Sequence, residues 1–168
     1  PWQQLAERTG ARIRWVDIDD QGRLEMDSLR DQLNERTRLL AVTAVSNVLG
    51  TINPLREIVE LAHQHGALVL VDGAQAVPHM RVSVDQLDVD FLAFSGHKML
   101  GPTGVGVLYV KAPILEQMPA FQGGGGMIHR VTQDGFEAAG VPARFEAGTP
   151  PISQVLGLSA AIEYLQEI

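Results

Sequence analysis

The chain contains no cysteine, which excludes disulfides, thiolate metal sites and a thiol nucleophile among its own residues. Aromatic residues are scarce, at 5%, and no run of Lys or Arg occurs: 13 basic residues stand against 20 acidic ones, a formal charge of −7. Nucleic acids and anionic membrane surfaces are bound by clustered cations, so neither is an expected partner and a small or neutral ligand fits better. No stretch of about 18 apolar residues reads as a membrane span, and nothing reads as a secretory leader; the expected location is the cytoplasm. What is present, 168 residues of which 45% are hydrophobic and 20% charged, is the composition of one globular domain with a real core. The opening on Pro1-Trp2, without an initiator Met, and the close at Ile168 on an amphipathic run read as the ends of an internal piece of a longer protein.

Residues 38–45 and 68–71 are short, nearly continuous apolar runs rich in β-branched side chains, the pattern of strands covered on both faces. Between them Pro54 opens a segment with apolar residues at Leu55, Ile58, Val59 and Ala62, ended by Gly66, which predicts a helix. Residues 90–94 and 104–110 read as third and fourth strands, and Ile152 to Leu165 as a closing helix. This alternation predicts an α/β fold with a mainly parallel sheet flanked by helices. Ligands of such sheets bind beyond the carboxyl ends of the strands. The residues there are Ser46-Asn47, Asp72-Gly73-Ala74-Gln75 and Ser95-Gly96-His97-Lys98.

Asp72 follows four aliphatic residues, a position where a carboxylate is expected to lose hydration and to need a partner. Lys98 ends the neighbouring strand, so one carboxylate and one amine converge on a single crevice. A lysine in a partly desolvated pocket has its neutral form favoured and can attack a carbonyl. Pyridoxal phosphate uses this pair: an imine to the lysine, and a carboxylate that keeps the pyridine nitrogen protonated. Gln75 is within reach of the ring's phenolic oxygen from the same turn, and Ser95 and His97 offer donors for a phosphate.

Five segments, Val45 to Gly50, Val71 to Ala76, Phe94 to Lys98, Gly101 to Gly106 and Phe145 to Pro150, resemble in order and spacing the class V aminotransferase-like enzymes, and among them the SUF-type cysteine desulfurases, also called selenocysteine lyases. The resemblance covers essentially the whole chain. It implies the aspartate aminotransferase-like fold type I, with residues 1–168 as the central part of the large domain that binds pyridoxal phosphate, and with an N-terminal segment and a C-terminal small domain lying outside them. It also implies roles: Lys98 carries the cofactor, Asp72 pairs with the pyridine nitrogen, Gln75 contacts the phenolate oxygen, Asn47 lies near substrate and cofactor oxygens, and Ser95 and His97 bind the phosphate. Thr149 would reach the phosphate of the neighbouring subunit in a homodimer. The implied reaction converts L-cysteine to L-alanine, with selenocysteine as an alternative substrate, and passes sulfur through an enzyme persulfide to an acceptor protein for iron–sulfur assembly. The cysteine nucleophile, the arginine for the substrate carboxylate and the histidine that stacks on the ring are expected outside this chain. Another class V activity (transaminase, kynureninase-like hydrolase or epimerase) and a catalytically silent module are the competing readings.

Other features have plainer readings. Gly101 to Gly106 precedes a strand and lacks the Gly-Lys-Ser/Thr ending of a nucleotide loop, so a tight turn is expected. His63 and His65 do not share a helix face as metal ligands would; placement at a helix C-terminus is expected. His79 and His129 have no companion at ligand spacing. The run Gly123 to Gly126 is either a flexible connection or a loop that approaches another backbone closely. Gly148-Thr149-Pro150 would also serve as the N-cap of the closing helix.

Overall fold

A computed structural model describes all residues, 1–168. The chain runs α1 (Trp2–Thr9), α2 (Met26–Gln32), β1 (Leu39–Thr43), α3 (Leu55–Gln64), β2 (Leu68–Asp72), α4 (Val84–Leu87), β3 (Phe91–Ser95), β4 (Gly106–Val110), α5 (Ala112–Gln117), β5 (Ile128–Val131), β6 (Phe136–Ala138) and α6 (Ile152–Glu167). The four strands and two helices expected from the pattern are all present. Strands β1, β2 and β3 are parallel neighbours in that order, and β4 closes the edge antiparallel to β3.

Within this chain the two faces of the sheet are covered unequally. Val69 and Val71 are fully buried on one face, whereas Leu39 and Leu68, which pair on the other, remain exposed. Topology supplies the reason. The crossovers from β1 to β2 and from β2 to β3 step the same way across the sheet, and right-handed crossovers in one direction place their connecting elements on one side. Accordingly Val59 and Ala62 of α3 share a buried cluster with Ala44, Val69, Val71, Val89 and Leu92, and Val84 and Leu87 of α4 pack against the same cluster. A smaller cluster, Leu29, Leu33 and Ile58, seats α2 on the outer side of α3. There Arg30 also pairs with Glu57 at 2.6 Å.

Patterning did not foretell α1, α2, α4, α5 or the hairpin β5/β6, which lies between the glycine run and the closing helix. The glycine run is a close approach rather than a loose connection: Gly148 N–H donates to Gly125 O at 2.8 Å, and a Cβ on Gly124 would stand 3.3 Å from Gly148 N. Gly101 to Gly106 is the tight turn expected, with Gly104 at φ +82°.

Candidate cofactor site

Three loops leave the carboxyl ends of β1, β2 and β3 side by side, and short hydrogen bonds set each one. After β1, the Ser46 hydroxyl accepts from Val48 N–H at 3.3 Å and Leu49 N–H at 3.2 Å, while Gly50, at φ +71°, donates its N–H to Ser46 O. This small turn carries Asn47 at its tip. Asn53 ties the returning strand down, its side chain donating to Thr43 O at 2.7 Å.

After β2, Asp72 Oδ1 accepts from Ala74 N–H at 2.9 Å, a local turn that such a residue forms readily. Gly73 N–H makes the last ladder bond, to Ala93 O at 2.8 Å, and a Cβ at Gly73 would press on Leu92 and Val77. Residues 74–80 then coil through helical turns in which His79 Nδ1 donates to Gln75 O at 2.7 Å. His79, which the sequence offered no reason to promote, therefore braces the turn that presents Gln75. Its spacing of four from Gln75 was the available signal.

After β3, Gly96–Lys98 forms one 3₁₀ turn. Gly96 N–H donates to Val105 O at 2.9 Å, and Met99 and Gly101 N–H both return to Gly96 O at 3.0 Å. A Cβ on Gly96 would stand 2.9 Å from Val105 Cγ1 and 3.1 Å from its carbonyl. Leu100 sits at φ +63°, a costly conformation for a bulky residue. The turn bearing Lys98 is thus held from both sides.

The sheet register brings the pieces together: Thr43, Asp72 and Ala93 are matched across β1, β2 and β3, so Asn47, Gln75, Asp72, Ser95, His97 and Lys98 all project from one sheet edge. Gln75 donates its side-chain N–H to the Asn47 carbonyl oxygen. The expectation of a desolvated carboxylate and lysine is corrected: Asp72, His97 and Lys98 are exposed. Asp72 is the last residue of its strand, beyond the buried Val71, and no element of this chain covers that edge. Lys98 takes part in no ion pair. Thr149 lies elsewhere, exposed after Gly148 at φ +89°. It does not cap α6, whose N-cap is Pro151 with no side-chain cap bond.

Chemically, the edge offers an uncommitted primary amine, a carboxylate with one oxygen open, two linked side-chain amides and the donors Ser95 and His97. That donor set suits a ligand with a carbonyl, a basic ring nitrogen, a ring oxygen and an anionic group.

Comparison with known proteins identifies the family. Residues 1–168 match the model of the family Aminotransferase class-V. A cysteine desulfurase of Shigella sonnei is 54% identical over the whole chain, which spans 42% of that protein's length. The crystal structure of the Escherichia coli cysteine desulfurase CsdA superposes with a TM-score of 0.96 at 44% identity, over 99% of this chain and 42% of that one. The apo cysteine desulfurase of Thermococcus onnurineus NA1 gives 0.94 at 41% identity, with the same coverage. With a family match along every residue, and relatives of this identity along its full length, the chain belongs to the class V aminotransferase family.

Proposed function

We propose that the whole protein is a pyridoxal-phosphate cysteine desulfurase, converting L-cysteine to L-alanine and passing the sulfur as an enzyme persulfide toward iron–sulfur cluster assembly. One observation carries the reading. Of the chain's two lysines, Lys111 is locked to Asp88 and Asp90 at 2.7 and 3.0 Å, whereas Lys98 makes no ion pair in the turn after β3, the strand that pairs with the one Asp72 ends. The similarity to proteins named cysteine desulfurase supports the substrate.

Bound pyridoxal phosphate would supply an electron sink conjugated to the substrate's α-carbon. Lys98 Nζ would hold the cofactor covalently and, as a free amine, would carry protons to and from the substrate carbons. Asp72 keeps Oδ2 open beside the Ala74-bonded Oδ1, and its negative charge would hold a proton on a ring nitrogen. Gln75 Nε2 has two hydrogens; with one given to Asn47, the second can donate to the ring oxygen, and the Asn47 amide N–H group stays available to substrate. Ser95 and His97 would hold the phosphate from the turn that bears Lys98. Thr149, which caps nothing, serves the phosphate of the other subunit in a homodimer. The thiol that receives the sulfur belongs to the remainder of the protein.

The test is the full-length protein with pyridoxal phosphate, L-cysteine and a dithiol reductant. Alanine and sulfide in equal amounts are expected. Pyruvate with ammonia, or amino transfer to a keto acid, would assign a different class V reaction; L-selenocysteine in place of L-cysteine measures the breadth of the site.

A further inference from the structure

At the opposite edge of the sheet lies the one charged residue that the fold buries, Asp90, with 4% of its side chain exposed. Its Oδ2 accepts from Val69 N–H at 2.7 Å and faces His63 Nε2 at 2.8 Å; its Oδ1 pairs with Lys111 Nζ at 3.0 Å. Asp88 shares Lys111 and stands 3.4 Å from His63 Nδ1. Backbone bonds run beside these: Asp90 N–H to Val69 O and Lys111 N–H to Asp90 O. One carboxylate therefore joins β2, β3, the exit of β4 and the end of α3. The chemistry derived above uses none of these groups.

A buried ionic cluster is a poor device for stability alone, because apolar residues of similar volume often serve as well; its best attested use is to fix register. Register is what β2 and β3 need. Their pairing matches only Leu70 with Phe91, Val71 with Leu92 and Asp72 with Ala93. Hydrophobic alternation penalises a slip of one residue, which would turn the buried face outward, but a slip of two preserves it. Such a slip would move Lys98 about 6.6 Å along the strand relative to Asp72. Asp90 forbids it, since only one register places its carboxylate against Val69 N–H with His63 and Lys111 both in reach.

We propose that Asp90, held by His63 and Lys111, is a positioning residue that sets the β2 to β3 register and thereby the offset between Asp72 and Lys98 at the far ends of the same strands. The catalytic half of this inference rests on the proposed cofactor reading; the register half does not.

The experiment uses full-length protein carrying Asp90→Asn, with Lys111→Met as a second variant that retains the buried carboxylate and keeps the test decisive if the first does not fold. Three quantities are read: amide hydrogen exchange at Gly73 in cofactor-free protein, pyridoxal phosphate affinity with the pH midpoint of its visible band, and kcat and KM for L-cysteine. Exchange at Gly73, the ladder bond farthest from Asp90, should rise at least about tenfold as local opening becomes easier. Cofactor affinity and kcat should fall by about tenfold to a hundredfold, as misplacement on the ångström scale allows, with KM changing less and the band midpoint displaced. Lower thermal stability with wild-type Gly73 exchange, cofactor affinity and band midpoint would overturn the proposal, leaving the cluster a stabiliser only. Failure of the unsubstituted protein to bind pyridoxal phosphate would break the cofactor reading instead, and Gly73 exchange would still judge the register.

Discussion

The two edges of the sheet treat their charges in opposite ways. At the carboxyl ends of β1 to β3, Asp72 and Lys98 are exposed and unpaired with each other. At the other edge, Asp90 and Lys111 are drawn together with His63 and Asp88. Burial by itself would raise the Asp90 carboxyl, but donors from His63, Val69 and Lys111 outweigh it and hold the group below the usual carboxylate range. Burial would likewise lower Lys111, and the two carboxylates outweigh it, keeping the ammonium charged. A lysine so held cannot serve as a nucleophile, since only the neutral amine attacks. The comparison shows one lysine committed to structure at one edge and one left uncommitted at the other.

The largest expected effect tests that assignment. In the full-length protein Lys98→Ala should abolish covalent attachment of pyridoxal phosphate and lower turnover by at least about 10²–10⁴-fold, the usual worth of a positioned proton carrier. Borohydride trapping followed by peptide mapping should label the wild type at Lys98; label on Lys111 would reverse the roles of the two edges.

Next comes the pH dependence of stability. Asp90 is held below its ordinary value of 3.8, so its contribution is complete above that value and disappears as pH falls through the lower folded one. Lys111 is held above 10.5, so its contribution is complete below that pH and is lost as pH rises through the higher folded value. Denaturant unfolding should therefore show a plateau between these limits. On the acid side, protonating Asp90 gives up the stabilisation that the donors from His63, Val69 and Lys111 lend its charged form. An acid limb unchanged in Asp90→Asn would show that the buried carboxylate is not its source.

Asp72→Asn should leave the plateau and both limbs in place while weakening the functional edge. Losing a charge-assisted bond to the ring nitrogen costs about 1.5–3 kcal/mol, with the loss of a protonated ring added to it in turnover. Near wild-type turnover in this variant would remove Asp72 from the proposed role. The smallest effect is expected from Gly106→Ala. Its Cβ would lie 2.8 Å from Phe94 O, opposite Ser95 in the ladder, and such overpacking costs about 1–3 kcal/mol. Cofactor affinity should fall, with the acid and alkaline limbs unmoved.

The same contrast explains what was legible in the sequence. Asp72 and Lys98 each follow an apolar run within a few residues, so local pattern and parallel topology suffice to bring them to one edge. Nothing local links His63, Asp90 and Lys111, which lie on α3, before β3 and after β4. His63 was expected to serve the end of its own helix, yet both its ring nitrogens face carboxylates. The exposure of Asp72 and the partial exposure of Leu39 and Leu68 were hidden for another reason. Hydrophobic runs report what a strand needs covered, not which segment covers it. The hairpin β5/β6 escaped because strands of four and three residues beside glycines carry too little periodicity to register.

The turn that bears Lys98 has one more consequence. Gly96 is pinned to Val105 on one side and accepts two N–H groups on the other, with Met99 buried immediately after the lysine. The backbone at this point is a fixed mooring. In the proposed role Lys98 would have to reach each atom it serves with its four methylenes alone, like a crane whose base is bolted down and whose jib does all the swinging. The rigidity of the root defines the arc of the amine, so the range of atoms it can serve is set by the length of its stem rather than by any motion of the loop.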